Sequence, residues 1–278
     1  MKKIIVPIDF SEHSDYALEV AAAIAKKQGA EIVALHMMGL SEAIINRNET
    51  KETMEGVFYM KLAQKQFVDF LDKEYLKGIK VTDSVYNYKN FNEINEVAQE
   101  HKADLIIMGS HGSSGLNEIF VGSNTEKVVR TSEIPVLVIK NRIKEYGLEN
   151  VVFGCDFESE SLKSYKKAMK FFELFDAKVH LLYVNLPSER FRSTPQMQEK
   201  VRDFLLNSGS ADFENLNKVV YRSAYTAEDG IFSYSNKINA DLIAVATHGR
   251  RGLSHFFFGS IGEDIANHSD IPVITFKI

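Results

Sequence analysis

Short apolar runs alternate along the chain with segments in which apolar residues recur at helical spacing. Residues 3–8 form a β-branched run bounded by polar residues, which predicts a buried strand. In residues 14–28 apolar positions recur every three or four residues and Gly29 follows, which predicts a helix ended by a glycine cap. The alternation predicts strands at 3–8, 31–37, 80–86, 104–109, 135–139, 151–154, 178–184, 219–222, 241–246 and 273–276, and helices at 14–28, from about 42 to 76, and at 92–101, 123–131, 161–175, 197–207, 229–238 and 260–267.

This alternation of apolar strands with helices determines the expected fold class. Continuously apolar strands between helices predict an α/β fold with a parallel sheet that helices cover on both faces. Open sheets of this kind bind ligands beyond the carboxyl ends of their strands, where the strand order reverses. We therefore expect the functional residues in the loops that follow the strands.

The second half of the chain repeats the first. Residues 103–116 (ADLIIMGSHGSSGL) recur 137 positions later as residues 240–253 (ADLIAVATHGRRGL). Near the start of each copy the shift is 147 positions, from Asp9 to Asp156, so the second copy has lost ten residues in between.

The position of this deficit and the ends of the repeat predict the domain organisation. The long segment at residues 41–78 has a shorter counterpart at residues 187–217, which is where the lost residues fit. The sequence thus predicts two tandem domains, copy one at 1–140 and copy two at 149–278, joined by a polar stretch.

Composition and charge exclude several functions. The 278 residues carry a formal net charge of −5, so the chain has no global positive field to hold nucleic acid or an anionic membrane. A single cysteine, Cys155, excludes an internal disulfide, and a reducing cytoplasm fits this best. Cys155 follows a predicted buried strand, where a thiol packs and stays inert. No apolar stretch is long enough for a signal-peptide core or a membrane span, so we expect neither.

The fourth predicted strand of copy one leads into a glycine loop of the form Gly-x2-Gly-x9-Gly-Ser. Its fixed positions are Gly109, Gly112, Gly122 and Ser123. Glycines allow close backbone approach, and a helix N-terminus adds unpaired amides and a partial positive charge, so the loop suits a phosphate. A glycine-rich connection without a ligand is the alternative. The loop has no Walker A lysine, and no Gly-x-Gly-x-x-Gly follows the first strand, so binding is favoured over phosphoryl transfer.

On these motifs copy one resembles an ATP-binding universal stress protein domain. The motifs are PIDFSEHSDYALEVA at residues 7–21, a second strand ending near His36, the glycine loop, and the closing strand IPVLVI at residues 134–139. The resemblance covers nearly all of both copies. It implies two Rossmann-like domains, similar to the adenine nucleotide alpha hydrolases, each with a five-stranded parallel sheet in the order 3-2-1-4-5. It also implies a cytoplasmic stress-response protein, pairing of the two domains through their fifth strands, and pairing of whole chains into a homodimer.

Carried over residue by residue, the resemblance implies an ATP site in copy one. Asp9 would lie near the adenosine, the backbone of Met37 near adenine, and the Ser123 hydroxyl on the phosphates, which Mg²⁺ can bridge without a metal site in the protein. The residues themselves leave Asp9 open between this role and that of a helix N-cap. The implied site comprises Pro7, Asp9, Met37, Met108, Gly109, His111, Gly112, Gly122, Ser123 and Asn124.

Copy two departs from this pattern. Ala246 stands in place of the first loop glycine, which either changes the turn or crowds a phosphate. Arg250 and Arg251 replace two serines and either add compensating charge or lie in a solvated loop. We expect a weaker, altered or empty second site, comprising Asp156, Val184, Ala246, Gly249, Gly259 and Ser260.

The leading hypothesis is a cytoplasmic regulatory protein that uses ATP as a ligand. No catalytic site is predicted, because the glycine loop lacks both a phosphate-gripping lysine and a catalytic base. His111 and His248 occupy equivalent loop positions without a carboxylate or cysteine cluster, so no metal site is predicted. The alternatives are an interaction scaffold that needs no ligand and a slow ATPase in which Asp9 or His111 assists a water molecule.

Overall fold

The structure, a computed structural model, describes residues 1–39, 49–88, 93–110, 123–143, 146–209, 218–247 and 269–278. The chain divides into two compact units, Met1–Tyr146 and Gly147–Ile278, which carry copy one and copy two. The finer boundaries predicted from the sequence, at residues 140 and 149, remain predictions. Within the described ranges, no helix combines the length and the apolar character needed to cross a bilayer.

Copy one has the predicted alternation of strands and helices. Its sheet has the order β3-β2-β1-β4-β5, and all four neighbouring pairs are parallel. The elements are β1 (Lys3–Pro7), α1 (Glu12–Gln28), β2 (Glu31–Gly39), α2 (Glu49–Phe70), a 3-10 turn (Glu74–Leu76), β3 (Val81–Tyr88), α3 (Glu93–Glu100), β4 (Leu105–Gly109), α4 (Ser123–Thr131) and β5 (Val136–Ile139).

Copy two repeats this architecture. Its strands are parallel and follow the order β8-β7-β6-β9-β10, the same arrangement as in copy one. The predicted helix at residues 260–267 lies outside the described residues. The described elements are β6 (Asn150–Gly154), a 3-10 turn (Ser159–Ser161), α5 (Leu162–Glu173), β7 (Lys178–Asn185), a 3-10 turn (Ser188–Arg190), α6 (Thr194–Ser208), β8 (Val220–Ser223), α7 (Ala227–Lys237), β9 (Leu242–Thr247) and β10 (Val273–Lys277).

The apolar pattern that predicted the elements also forms the core. Ile4, Ile5 and Val6 of β1 are fully buried, as expected for a central strand covered on both faces. In α1 the apolar positions lie against the sheet, and Gly29 ends the helix in the left-handed conformation with φ 64°. The α/β fold class with two tandem five-stranded parallel sheets is therefore confirmed.

An aspartate before the fourth strand of each copy fixes the start of the central strand. Asp104 Oδ2 accepts hydrogen bonds from the backbone amides of Lys2 and Lys3, at 2.6 and 3.0 Å. Asp241 does the same for Glu149 and Asn150, at 3.0 and 2.8 Å. The repeat thus preserves a local device that holds two neighbouring strands in register.

The long helix predicted to end near residue 76 ends instead at Phe70. A 3-10 turn follows, in which the Tyr75 hydroxyl donates to Asp15 Oδ1 at 2.5 Å, and Lys73 forms an ion pair with the same carboxylate at 3.2 Å. Both contacts are with α1, and burial together with the Asp15 hydrogen bond raises the pKa of Tyr75. The prediction was wrong at this end because long-range contacts outweigh the local helical pattern.

Candidate functional site

The candidate site lies where the carboxyl ends of β1, β2 and β4 meet. β1 is the central strand, with β2 on one side and β4 on the other, so the strand order reverses here. Pro7 pairs with Leu35 in the parallel register, and Ile5 pairs with Ile106. Continuing each register by two residues places Asp9 beside Met37 and Pro7 beside Met108, so these segments lie at one edge of the sheet.

Asp9 orders the turn between β1 and α1. Its Oδ1 accepts hydrogen bonds from the backbone amide of Ser11 at 3.1 Å and from the Ser11 hydroxyl at 2.5 Å. The N-cap of α1 is Ser11, whose side chain accepts from the Ser14 amide at 3.3 Å. The N-cap alternative for Asp9 is therefore wrong, because the helix begins two residues later than that role requires. The Asp9 side chain remains partly exposed at the edge of the sheet.

Phe10 anchors the chain immediately after Asp9. It adopts φ 63°, in the left-handed region that non-glycine residues rarely occupy. Its ring packs against Phe67 of α2 and His36 of β2, with centroid distances of 5.2 and 4.8 Å. His36 Nδ1 lies 2.7 Å from the carbonyl oxygen of Ile8, to which it donates. These contacts stabilise the strained turn and so fix the position of Asp9 relative to β1.

Gly109 ends β4 at a point where two helices begin. A Cβ atom on Gly109 would lie 2.6 Å from the carbonyl oxygen of His13, so the first turn of α1 packs directly on this glycine. The Thr125 hydroxyl, in the first turn of α4, donates to the carbonyl oxygen of Gly109 at 2.9 Å. Helix N-termini present unpaired amides and a partial positive charge, so this corner is suited to an anionic group.

The other residues implied for the first site fall into three groups. Met37 and Met108 are 9% and 4% exposed, so their side chains are buried at this edge of the sheet. Ser123 begins α4 as predicted, and Asn124 beside it is exposed. His111, Gly112 and Gly122 lie outside the described residues. In the part of the chain that the structure describes, no cluster of three histidine, cysteine or acidic side chains is placed to hold a metal ion.

The first turn of copy two repeats that of copy one. Asp156 Oδ1 accepts hydrogen bonds from the Glu158 amide at 3.0 Å and from the Ser161 hydroxyl at 2.8 Å. Phe157 adopts φ 55° and stacks on Tyr183 with a centroid distance of 5.7 Å. The duplication therefore extends to the strained aromatic anchor.

Cys155 lies at the same place in copy two, directly after β6. Its side chain is 5% exposed, as expected from the sequence. Burial, with a further contribution from the carboxylate of Asp156, raises the pKa of this thiol well above its ordinary value. Cys155 is thus a packing residue and is kept in the unreactive thiol form.

The remainder of the copy-two edge differs from copy one. A Cβ atom on Gly154 would lie 2.6 Å from Ile231, and a Cβ atom on Gly230 would lie 2.6 Å from Val184. The helix α7 therefore packs closely on the ends of β6 and β7, and Val184 contacts it. Ala246 is 4% exposed within β9, and the expected site residues Gly249, Gly259 and Ser260 lie outside the described residues.

Sequence reasoning missed three residues that shape the first site. Phe10, His13 and Thr125 act through contacts with distant parts of the chain, which no local pattern reveals. Comparison of the two copies could have drawn attention to Thr125, because glycine stands at the equivalent position 262 of copy two.

Comparison with known proteins agrees with this architecture. The universal stress protein MJ0577 of Methanocaldococcus jannaschii is 34% identical over 155 residues, which cover 51% of this chain and 96% of that protein. The universal stress protein Slr1230 of Synechocystis is 22% identical over the full length of both chains. The crystal structure of a universal stress protein from Archaeoglobus fulgidus superposes with a TM-score of 0.66 at 19% identity, covering 99% of this chain and 98% of that one.

The family model for the universal stress protein family matches the chain twice, at residues 1–140 and 147–277. These two matches account for nearly the whole chain and coincide with the two copies found in the sequence. The protein therefore belongs to the universal stress protein family and carries two family domains in tandem.

Proposed function

We propose that the protein is a cytoplasmic, ATP-binding regulator of the stress response, and that copy one binds ATP as a ligand. The observation that carries this proposal is the arrangement around Gly109. There the first turns of α1 and α4 meet the end of β4, at the same edge of the sheet as the Asp9 carboxylate. A corner with two helix N-termini favours phosphate, and a neighbouring carboxylate favours the hydroxyl and amino groups of a nucleoside.

Different groups of the described residues fit the adenosine part and the phosphate part of ATP. The Asp9 carboxylate, which hydrogen bonds from Ser11 orient, carries acceptor oxygens of the kind that ribose hydroxyls need. The backbone near Met37 lies at the end of β2, where it can contact the adenine ring. On the phosphate side, the amides at Ser123 and Asn124 begin α4. The sequence places His111, Gly112 and Gly122 in the loop that leads to this helix.

Mg²⁺ fits this site only as a companion of the nucleotide. The described residues do not offer three convergent protein ligands for a metal. Mg²⁺ retains several waters and is often bound through substrate phosphates with few protein ligands. The ion would therefore be bound mainly through the phosphates of ATP.

Copy two is proposed to bind ATP weakly or not at all. Its Val184 and Gly154, at the positions of Met37 and Pro7, both pack against α7. Ala246 removes the glycine at the end of the fourth strand. The backbone freedom that supports the proposal in copy one is thus reduced in copy two.

A second candidate function is an interaction scaffold. The observation that favours it is a group of exposed apolar side chains on α2, among them Phe58 at 62% and Val68 at 72% exposure. The sequence predicts a helix in this segment, at about residues 42–76, and the structure adds that apolar side chains of this helix are exposed. An ATP-independent partner would use such a surface.

The test is a calorimetric titration of the intact chain with ATP and Mg²⁺, together with two matched variants. Asp9→Asn removes the carboxylate charge in copy one, and Asp156→Asn makes the same change in copy two. We expect Asp9→Asn to lower the affinity at least about tenfold, the effect of losing one charge-assisted hydrogen bond. Asp156→Asn should leave the affinity unchanged.

The opposite results separate the alternatives. If the wild-type chain releases no heat and retains no nucleotide, the ATP proposal fails and the scaffold is favoured. Phosphate release that disappears in Asp9→Asn would instead identify a slow ATPase. Equal losses in both variants would show that the two copies share the binding role.

A further inference from the structure

A side-chain hydrogen bond joins the end of β4 to the start of α4. Thr125 Oγ1 donates to the carbonyl oxygen of Gly109 at 2.9 Å, across 16 positions of the chain. Thr125 is 4% exposed, so water competes little for this bond. The bond gives a partner to a backbone carbonyl at a strand end and sets the distance between the strand and the helix.

Gly109 is itself held from the opposite side. The backbone of His13 lies so close that a Cβ atom on Gly109 would be 2.7 Å from the His13 carbonyl carbon. The end of β4 therefore cannot move toward α1. Because Thr125 is bonded to this fixed point, the first turn of α4 is held in place relative to the sheet.

Copy two lacks the donor of this bond. The repeat places Gly262 opposite Thr125 and Ala246 opposite Gly109. Glycine has no hydroxyl, so the same bond cannot form there. The bond is therefore specific to the copy in which the ATP site is proposed.

We propose that Thr125 is a positioning residue of the ATP site. It holds the N-terminus of α4 in the orientation in which the helix amides bind the phosphates, and it does not itself contact the nucleotide. This inference rests on the proposed function, since it concerns the same site. It implies that Thr125 affects the affinity for the phosphate part of ATP and leaves the affinity for adenosine unchanged.

The test compares ATP and adenosine binding by calorimetry for three variants at two threonines. Thr125→Val keeps the shape of the side chain and removes the donor, and we expect about a tenfold loss of ATP affinity with no change for adenosine. Thr125→Ser keeps the donor and should bind ATP like the wild type. Thr131→Val is the matched control, because Thr131 lies on the same helix and neither of its hydroxyl's bonds reaches β4: it donates to the Lys127 carbonyl at 2.7 Å and accepts from the Asn95 side-chain amide at 2.9 Å. It should change neither affinity.

Amide hydrogen exchange of the nucleotide-free chain provides a readout that does not depend on binding. We expect the amides of residues 127–130, which donate to the carbonyl groups of the first turn of α4, to exchange faster in Thr125→Val than in the wild type or in Thr131→Val. Unchanged exchange there, a similar loss for adenosine and ATP, or a serine variant that behaves like valine would each overturn the positioning role. A wild-type chain that does not bind ATP would refute the proposed function, and the exchange result would still decide whether Thr125 fixes the helix.

Discussion

At the scale of single residues, Gly109 shows that two different physical requirements can select the same residue at a motif position. The sequence assigns this glycine to a phosphate-binding loop. The structure adds a reason that needs no ligand, because the His13 backbone occupies the space that a side chain would need. In copy two, where a 3-10 turn replaces the corresponding start of the helix, Ala246 fits at the end of β9.

We therefore expect Gly109→Ala to destabilise the protein even without nucleotide. The added Cβ would meet backbone atoms, which cannot rotate away, and overpacking of this kind costs about 1–3 kcal/mol of unfolding free energy. Ala246→Gly is the reciprocal control and should cost less, about 0.5–1 kcal/mol. Thermal unfolding of the nucleotide-free chain measures both changes. Full stability of Gly109→Ala would mean that the glycine serves the ligand alone.

Phe10 and Phe157 show what sequence reasoning could not reach at this scale. Both residues are aromatic and give no local sign of a positive φ, yet each adopts one, Phe10 directly after Asp9 and Phe157 directly after Asp156. The reason is packing, since each ring contacts an aromatic side chain of a distant helix, and these contacts compensate for the backbone strain. The Asp9 position was predicted, whereas the turn that orients it was not.

At the scale of elements, α2 has one face in the core and another that is only partly polar. Phe67 is 2% exposed and packs against Phe10 at 5.2 Å. Its neighbour Val68 is 72% exposed. The apolar periodicity of the sequence predicted the helix. It did not show that apolar residues also lie on the solvent-exposed face.

The two neighbouring residues allow a direct test of how α2 is held. Phe67→Ala removes a buried ring that supports the turn after β1, and we expect a loss of about 3–5 kcal/mol in unfolding free energy. Val68→Ala changes a solvent-exposed position and should stay within about 0.5 kcal/mol of the wild type. Urea denaturation of the intact chain gives both values. Similar values for the two variants would contradict the described burial.

Strands and helices were predictable where local pattern and packing agree. The central strands are apolar and buried, and α1 begins and ends at capping residues that the sequence already contains. The errors lie at ends set by other elements. The end of α2 is the clearest case, because Lys73 and Tyr75 contact Asp15 of α1 and replace the last helical turn.

At the scale of the whole molecule, two copies of one domain have diverged unequally. They share their strand order, the strand-start aspartates and the aromatic anchors. They differ in sequence at the edge where a nucleotide would bind, through Val184, Ala246 and Gly262 in place of Met37, Gly109 and Thr125. Pairing of the two domains and of whole chains remains a prediction of the family resemblance.

This divergence predicts a binding stoichiometry. We expect one ATP per chain, because only copy one combines a glycine at the end of the fourth strand with a hydroxyl that fixes the following helix. Calorimetric stoichiometry and native mass spectrometry of the intact chain both report the number. Two equal sites per chain would show that a methyl group at position 246 is compatible with phosphate binding.

The sequence by itself determined the fold class, the duplication, the family and the edge of the sheet at which function is expected. It could do so because apolar periodicity, glycine spacing and repetition can be read directly from the order of residues along the chain. Only the tertiary structure decided that α2 ends at Phe70 and that Gly109 lies between His13 and Thr125. These features depend on contacts between residues far apart in sequence, whose free energies arise only once the sheet and its helices are packed together.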